Sequence, residues 1–189
     1  MKALLVLDFV NEIIHEDGKF KGKGYAEFAK QHDTLAHVAQ AITKAREKNI
    51  EIIFVRIAFD KTYSNKPKNS VLLGKADQFQ ALIENTWATE FHEALNVTDY
   101  KVFQKQRISP FSNPDFETYL KDKQITELYV SGVATDLVVQ SAVRDAHDRD
   151  YIVYVLSDCC AAGSIEEHDA ALHNLKKIAI VGTAQELLE

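Results

Sequence analysis

The chain has 189 residues, 46% of them hydrophobic, and a formal net charge of −6. A chain of this length can bury a sizeable core, removing roughly 70% of the surface that its unfolded form exposes. The acidic balance argues against general nucleic-acid or membrane-surface binding, which needs concentrated positive charge. No apolar run approaches the ~20 residues that cross a bilayer.

The opening stretch Met1–Asp8 is apolar but too short for a secretory leader, and no small-residue cleavage site follows it. Ala3–Leu7 reads instead as a buried parallel strand that ends at an acid. Tyr25 to Asn49 places Phe28, Leu35, Val38, Ile42 and Ala45 at gaps of three, four and seven, which predicts one long helix. Ile50–Ile57 is dense in β-branched residues and predicts the second strand. Asp60 to Glu90 has no clear period and predicts a long loop with helical pieces, a kind of segment that is often functional.

Lys101–Gln104 is the third predicted strand, and Asn113-Pro114 is a helix start, with Asn as cap and Pro at the first helical position. Ile125–Ser131 is the fourth strand, followed by a helix capped by Thr135 or Asp136 and running to about Arg149. Ile152–Leu156 is the fifth strand. Ser164-Ile165-Glu166-Glu167 has capping-box spacing and opens a helix to about Lys176. Ile178–Val181 is the sixth strand, before a short C-terminal turn of helix. Alternating strands and helices imply an α/β fold, three layers with a parallel sheet and helices on both faces. No repeat, linker or low-complexity tract divides residues 1–189, so a single domain is expected.

Three stretches could carry chemistry. Leu7-Asp8-Phe9-Val10-Asn11 puts an acid at the end of the first strand, and Val102 to Phe111 puts Lys105 near the end of the third. Open α/β sheets place their ligands at such strand ends. An acid and a lysine brought together there form either a poised proton-transfer pair or a structural ion pair. The third stretch, Ser131-Gly132-Val133-Ala134-Thr135-Asp136-Leu137-Val138, continues through Asp145-Ala146-His147-Asp148-Arg149-Asp150-Tyr151 to Leu156-Ser157-Asp158.

Together these three stretches resemble the isochorismatase-like hydrolase superfamily, over about Leu4 to Ala162. The resemblance implies a six-stranded parallel sheet in the order 3-2-1-4-5-6. It also implies that Asp8 is the catalytic carboxylate and Lys105 its electrostatic partner. A cis peptide at Val133–Ala134 is implied as well, turning backbone N–H groups toward a substrate oxyanion. Val138 stands where the amidase members carry a nucleophilic cysteine, and an isopropyl group cannot attack a carbonyl. The isochorismatases proper carry glycine there and cleave a vinyl ether with the strand-end Asp as acid. Val138 is therefore open to four readings. It is a core residue of an amphipathic helix, the mark of a binding protein that lost its nucleophile, the mark of a hydrolase needing no thiol, or a substitution at a natural cysteine.

The expected function is hydrolysis of a C–N or C–O bond in a small polar metabolite, and the alternative is a non-catalytic ligand-binding or interaction protein on the same scaffold. Phe9, Phe59, Trp87 and Asp136 are expected at the substrate, with Asp60–Glu90 as the specificity wall. Cys159 and Cys160, the two cysteines, form no disulfide framework or zinc site. Neither opens a helix, so buried inert thiols are expected there.

No cofactor or metal is expected. The zinc-containing nicotinamidase relatives use a histidine after the second strand, and here the next histidine is His92. His168 and His173, five apart on a helix, read as solvated. The Gly18, Gly22 and Gly24 run reads as a flexible loop. A small-molecule partner, a homodimer or larger homo-oligomer and a cytoplasmic setting complete the expectation.

Overall fold

The structure is a computed structural model describing residues 1–189. Its elements in chain order are β1 (Lys2–Leu7), α1 (Asn11–Ile14), α2 (Tyr25–Gln31), α3 (Thr34–Glu47), β2 (Glu51–Ile57), β3 (Lys101–Lys105), α4 (Pro114–Asp122), β4 (Glu127–Val133), α5 (Gln140–His147), β5 (Ile152–Ala161), α6 (Ile165–Leu175), β6 (Ile180–Gly182) and α7 (Ala184–Leu187). The strands form one six-stranded sheet in the order β3-β2-β1-β4-β5-β6, and every pairing is parallel. No helix is long and apolar enough to cross a membrane.

Strand alternation divides β1 between two cores. Leu4 and Val6 join a cluster of 31 buried residues with α2, α3 and α7. Ala3, Leu5 and Leu7 join a cluster of 22 with α4, α5 and α6. A central strand covered on both faces must be apolar throughout, which is why Ala3–Leu7 carries no polar residue until Asp8.

Four elements differ from the sequence expectation. The helix expected over Tyr25–Asn49 is two helices, broken at Asp33, whose backbone is left-handed with φ 50°. The seven-residue gap between Phe28 and Leu35 concealed the break, because two successive helices facing the same sheet bury the same positions. Neither Thr135 nor Asp136 caps the helix that follows β4. A π-helical turn, Thr135–Val139, precedes α5, and the Thr135 hydroxyl instead shares a 2.8 Å hydrogen bond with His168 Nδ1. β5 continues past Leu156 to Ala161, because an irregularity lets it rejoin β4: Val130 pairs with Val155, and Gly132 with Cys160. Asp60–Glu90 contains turns and one 3-10 turn, Trp87–Thr89, rather than several helical pieces.

Two further corrections concern side chains and glycines. His168 is buried against Phe28, with ring centroids 5.1 Å apart, so of the two helix histidines only His173 is solvated. The glycine loop is pinned. A Cβ at Gly18 would lie 2.5 Å from the Glu12 carbonyl oxygen, and one at Gly24, where φ is +85°, would lie 2.1 Å from that of Gly163. Only glycine permits such backbone approach.

Candidate active site

The sheet register brings Asp8 and Lys105 together. Leu7 is flanked by Val55 and Gly132, and Ile57 pairs with Lys105, so β1, β2 and β3 end at one level. Asp8 leaves β1 in a left-handed conformation, φ 60°, held by its N–H donating to Val55 O at 2.8 Å. Aspartate tolerates that region better than most residues.

Lys105 closes β3, and its Nζ donates to Asp8 Oδ2 at 2.7 Å and to the Arg107 carbonyl at 3.1 Å. Both residues are buried. Burial raises the Asp8 carboxyl above the ordinary carboxylate range, an effect the Lys105 charge opposes. Burial likewise lowers the Lys105 ammonium, against the pull of Asp8. The pair is thus shifted from both sides toward proton exchange. Asp8 Oδ1 has no hydrogen-bond partner.

Asp8 and Lys105 line a narrow cavity with room of about 60 Å³ for the centres of water-sized molecules. The other 12 of its 14 lining residues are hydrophobic. Val133, Ala134, Leu137 and Val138 form one wall. The Val133–Ala134 peptide is cis, and the Ala134 N–H donates to no carbonyl of the protein. Val138 is both a wall residue and a member of the smaller core cluster. The close approach of the π-helical turn to β1 requires Gly132, where a Cβ would lie 3.0 Å from both Leu7 Cβ and Val139 Cγ2.

The four residues expected at the substrate lie outside this cavity. Phe9 and Phe59 are fully buried in the larger core cluster. Trp87 is exposed at 45% and sits edge-on to His15 at 5.2 Å. Asp136 is half-buried, with Oδ1 unpartnered. None of the four lines the cavity. The physical reason is that Phe9 follows the left-handed turn at Asp8 and points away from the site. Phe59 is sewn into the core by its N–H to Leu82 O (2.8 Å) and by its carbonyl, which accepts from Glu84 N at 2.9 Å.

Phe20, Tyr25, Leu72, Leu73, Leu82 and Ile108 also line the cavity. Sequence reasoning named none of the six as a site residue, although Leu72, Leu73 and Leu82 lie within the Asp60–Glu90 segment expected as the specificity wall. Val71-Leu72-Leu73 is an apolar triplet in an otherwise polar stretch, and Phe20 stands among lysines and glycines. Those were the available signals. Glu12, also buried, accepts a hydrogen bond from the Leu82 N–H and so ties that residue to α1.

Cys159 and Cys160 are buried outside the cavity. Burial pushes the Cys159 thiol well above its usual value and the Cys160 thiol up to about 12. Such thiols are poor nucleophiles at neutral pH.

The chain matches a known family. A family model described as the Isochorismatase domain matches residues 2–186. The chain belongs to the isochorismatase family. Ureidoacrylate amidohydrolase RutB of Acinetobacter baylyi is 27% identical over 188 residues, covering 92% of this chain and 76% of its own length. An isochorismatase-like hydrolase from Alkaliphilus metalliredigens superposes with a TM-score of 0.80 at 25% identity, covering 100% of this chain and 98% of that one. N-carbamoylsarcosine amidase from Thermoplasma acidophilum shares the fold at a TM-score of 0.77 and 20% identity, with 99% of each chain covered. The isochorismatase-family sheet order is the one described here, and amidohydrolases stand among this chain's relatives.

Proposed function

We propose that this isochorismatase-family chain is a single-domain hydrolase of a C–N or C–O bond in a small metabolite, working by acid–base chemistry at Asp8 without a covalent enzyme intermediate. One observation carries the reading. Asp8 keeps one carboxylate oxygen on Lys105 Nζ and leaves the other without a partner in a buried, mostly apolar cavity. A carboxylate held this way can take a proton from water as the water oxygen bonds to the substrate carbon. It can then return that proton to the leaving nitrogen or oxygen as the old bond breaks. Lys105 holds the carboxylate in place and balances its charge, and the free Ala134 N–H is a donor suited to the developing oxyanion. Val138, in the place of the family's nucleophile, makes the wall apolar and excludes thiol attack.

The narrowness of the cavity favours a second reading, a ligand-binding protein whose site Val138 has closed to water. Hydrolysis of a panel of small amides, ureides and enol ethers, compared between the parent and Asp8→Asn, decides between them. Turnover that falls by about 10²–10⁴-fold in the variant supports the hydrolase. Saturable binding of panel members with no turnover in the parent supports the binding protein. We further propose that the chain is a homo-oligomer, and a sedimenting species of 21.3 kDa at micromolar concentration would refute this.

A further inference from the structure

We infer that a groove adjoining the Asp8 cavity at Phe20, Leu72, Leu73 and Leu82 is the substrate's second subsite, and that it takes an elongated apolar body ending in an anion such as a carboxylate. The inference rests on the Asp8 reading above and adds a substrate class to it.

Room decides the first step. The Asp8–Lys105 cavity offers about 60 Å³ to the centres of water-sized molecules, enough for a reacting group and little else. The groove beside it offers about 610 Å³ by the same measure, within the range of small-molecule sites. The two spaces share Phe20, Leu72, Leu73 and Leu82 as lining residues. The groove is therefore a neighbouring space, next to the Asp8 cavity, that is large enough for the rest of a substrate.

The lining sets the chemistry. Eight of the groove's 11 residues are hydrophobic, and several are unusually open to water: Val71 is 99% exposed, Phe79 67% and Leu72 49%. Exposed apolar side chains gathered along one concavity mark a binding surface. The remaining three lining residues are all lysines, Lys19, Lys23 and Lys75, and no carboxylate joins them. Lys19 is engaged, 3.5 Å from Glu12 Oε1 and donating to the Gln80 carbonyl. Lys23 and Lys75 are exposed and make no ion pair or hydrogen bond through their ammonium groups. On a chain of net charge −6, a rim carrying only cations around an apolar floor is complementary to an amphiphilic anion. A cationic or uncharged polar ligand gains nothing from it. A second copy of this acidic chain is the competing occupant, and the test separates it.

Calorimetric titration of the full chain with octanoate, octanol and octylammonium reads the inference directly. Octanoate is expected to bind at least tenfold more tightly than octylammonium. Lys23→Glu/Lys75→Glu, two exposed positions, is expected to reverse that order. Phe79→Asp is expected to weaken octanoate at least tenfold with an unchanged circular dichroism spectrum. No octanoate binding at millimolar concentration, or equal binding of all three amphiphiles, overturns the proposal. So does a dimer that Phe79→Asp dissociates in a chain that does not bind octanoate. Asp8→Asn keeps the readout independent of catalysis. Octanoate binding retained in that variant, alongside a parent with no hydrolytic activity, leaves the groove standing and removes the hydrolase reading. Hydrolysis that depends on Asp8 but is insensitive to the groove substitutions does the reverse.

Discussion

Asp8 and Lys105 reach the cavity from the carboxyl ends of β1 and β3, whereas Val133, Ala134, Leu137 and Val138 enclose it from the cis peptide and the π-helical turn that follow β4. The first side has its full chemical complement: an acid, a lysine at 2.7 Å and an unpartnered carboxylate oxygen. The second side has a cis peptide, a π-helical turn and only apolar side chains. Backbone geometry is set by many residues at once, through the Gly132 contact and the core around Val139, so one side-chain identity can change without disturbing it. Acid–base capacity depends on two side chains and their burial. The two halves of the site therefore vary independently, and experiments can address them one at a time.

The largest effect is expected from the charged half. Lys105→Met leaves Asp8 buried without its partner, and breaking a buried pair from one side costs about 3–5 kcal/mol. Urea denaturation measures it, and the double variant Asp8→Asn/Lys105→Met is expected to recover much of the loss because no uncompensated charge remains. A double variant as unstable as the single one would mean that packing, not charge, dominates at this position.

Val138→Cys tests the other half. The substitution changes little volume, so a cost of about 1 kcal/mol or less is expected. A thiol placed there lines the same cavity as Lys105, and a nearby ammonium favours thiolate. Alkylation by iodoacetamide, followed by mass spectrometry, is expected to modify residue 138 much faster than Cys159 or Cys160. A folded variant whose new thiol stays inert would favour the binding-protein reading.

The pH dependence of turnover sharpens the role of Asp8. Burial holds its carboxyl above the ordinary value of 3.8. If Asp8 acts as a base on a C–N bond, kcat/KM is lost as pH falls through that raised value. If it acts as an acid on an enol ether, kcat/KM is lost as pH rises through the same value. The direction of the limb shows whether Asp8 enters the reaction as the base proposed above or as an acid.

The smallest effect is expected behind the π-helical turn, at His168. Burial, helped by His32 and opposed by Asp169 and Asp136, lowers His168 below its ordinary 6.5. The folded state thus prefers neutral imidazole. Its full stability is present above pH 6.5 and declines as pH falls from there through the lowered folded value. His168→Gln is expected to flatten that part of the stability profile, as followed by thermal denaturation.

The sheet was legible because buried parallel strands are written as short apolar runs, and each run maps onto one strand to within a few residues. Asp8 and Lys105 were legible as strand-end residues for the same reason. The helix break at Asp33 was not, because periodicity records which face is buried and not whether the axis is continuous. Likewise Phe9 and Phe59 looked like pocket residues by type and position, and the folded chain turned them inward.

What the amino-acid sequence determined alone is the order of strands and helices, the acid and lysine at the ends of β1 and β3, and the absence of a thiol at position 138. These depend on local pattern and residue identity. Only the tertiary structure decided that Leu72, Leu73 and Leu82 line one narrow cavity with Asp8, and that Lys23 and Lys75 join the same three leucines around a larger groove. An aperiodic segment of some thirty residues (Asp60–Glu90) carries no pattern that predicts its path. Its course is set by long-range contacts, such as the Leu82 N–H on Glu12 and the hydrogen bonds of Phe59, which exist only once the sheet has formed.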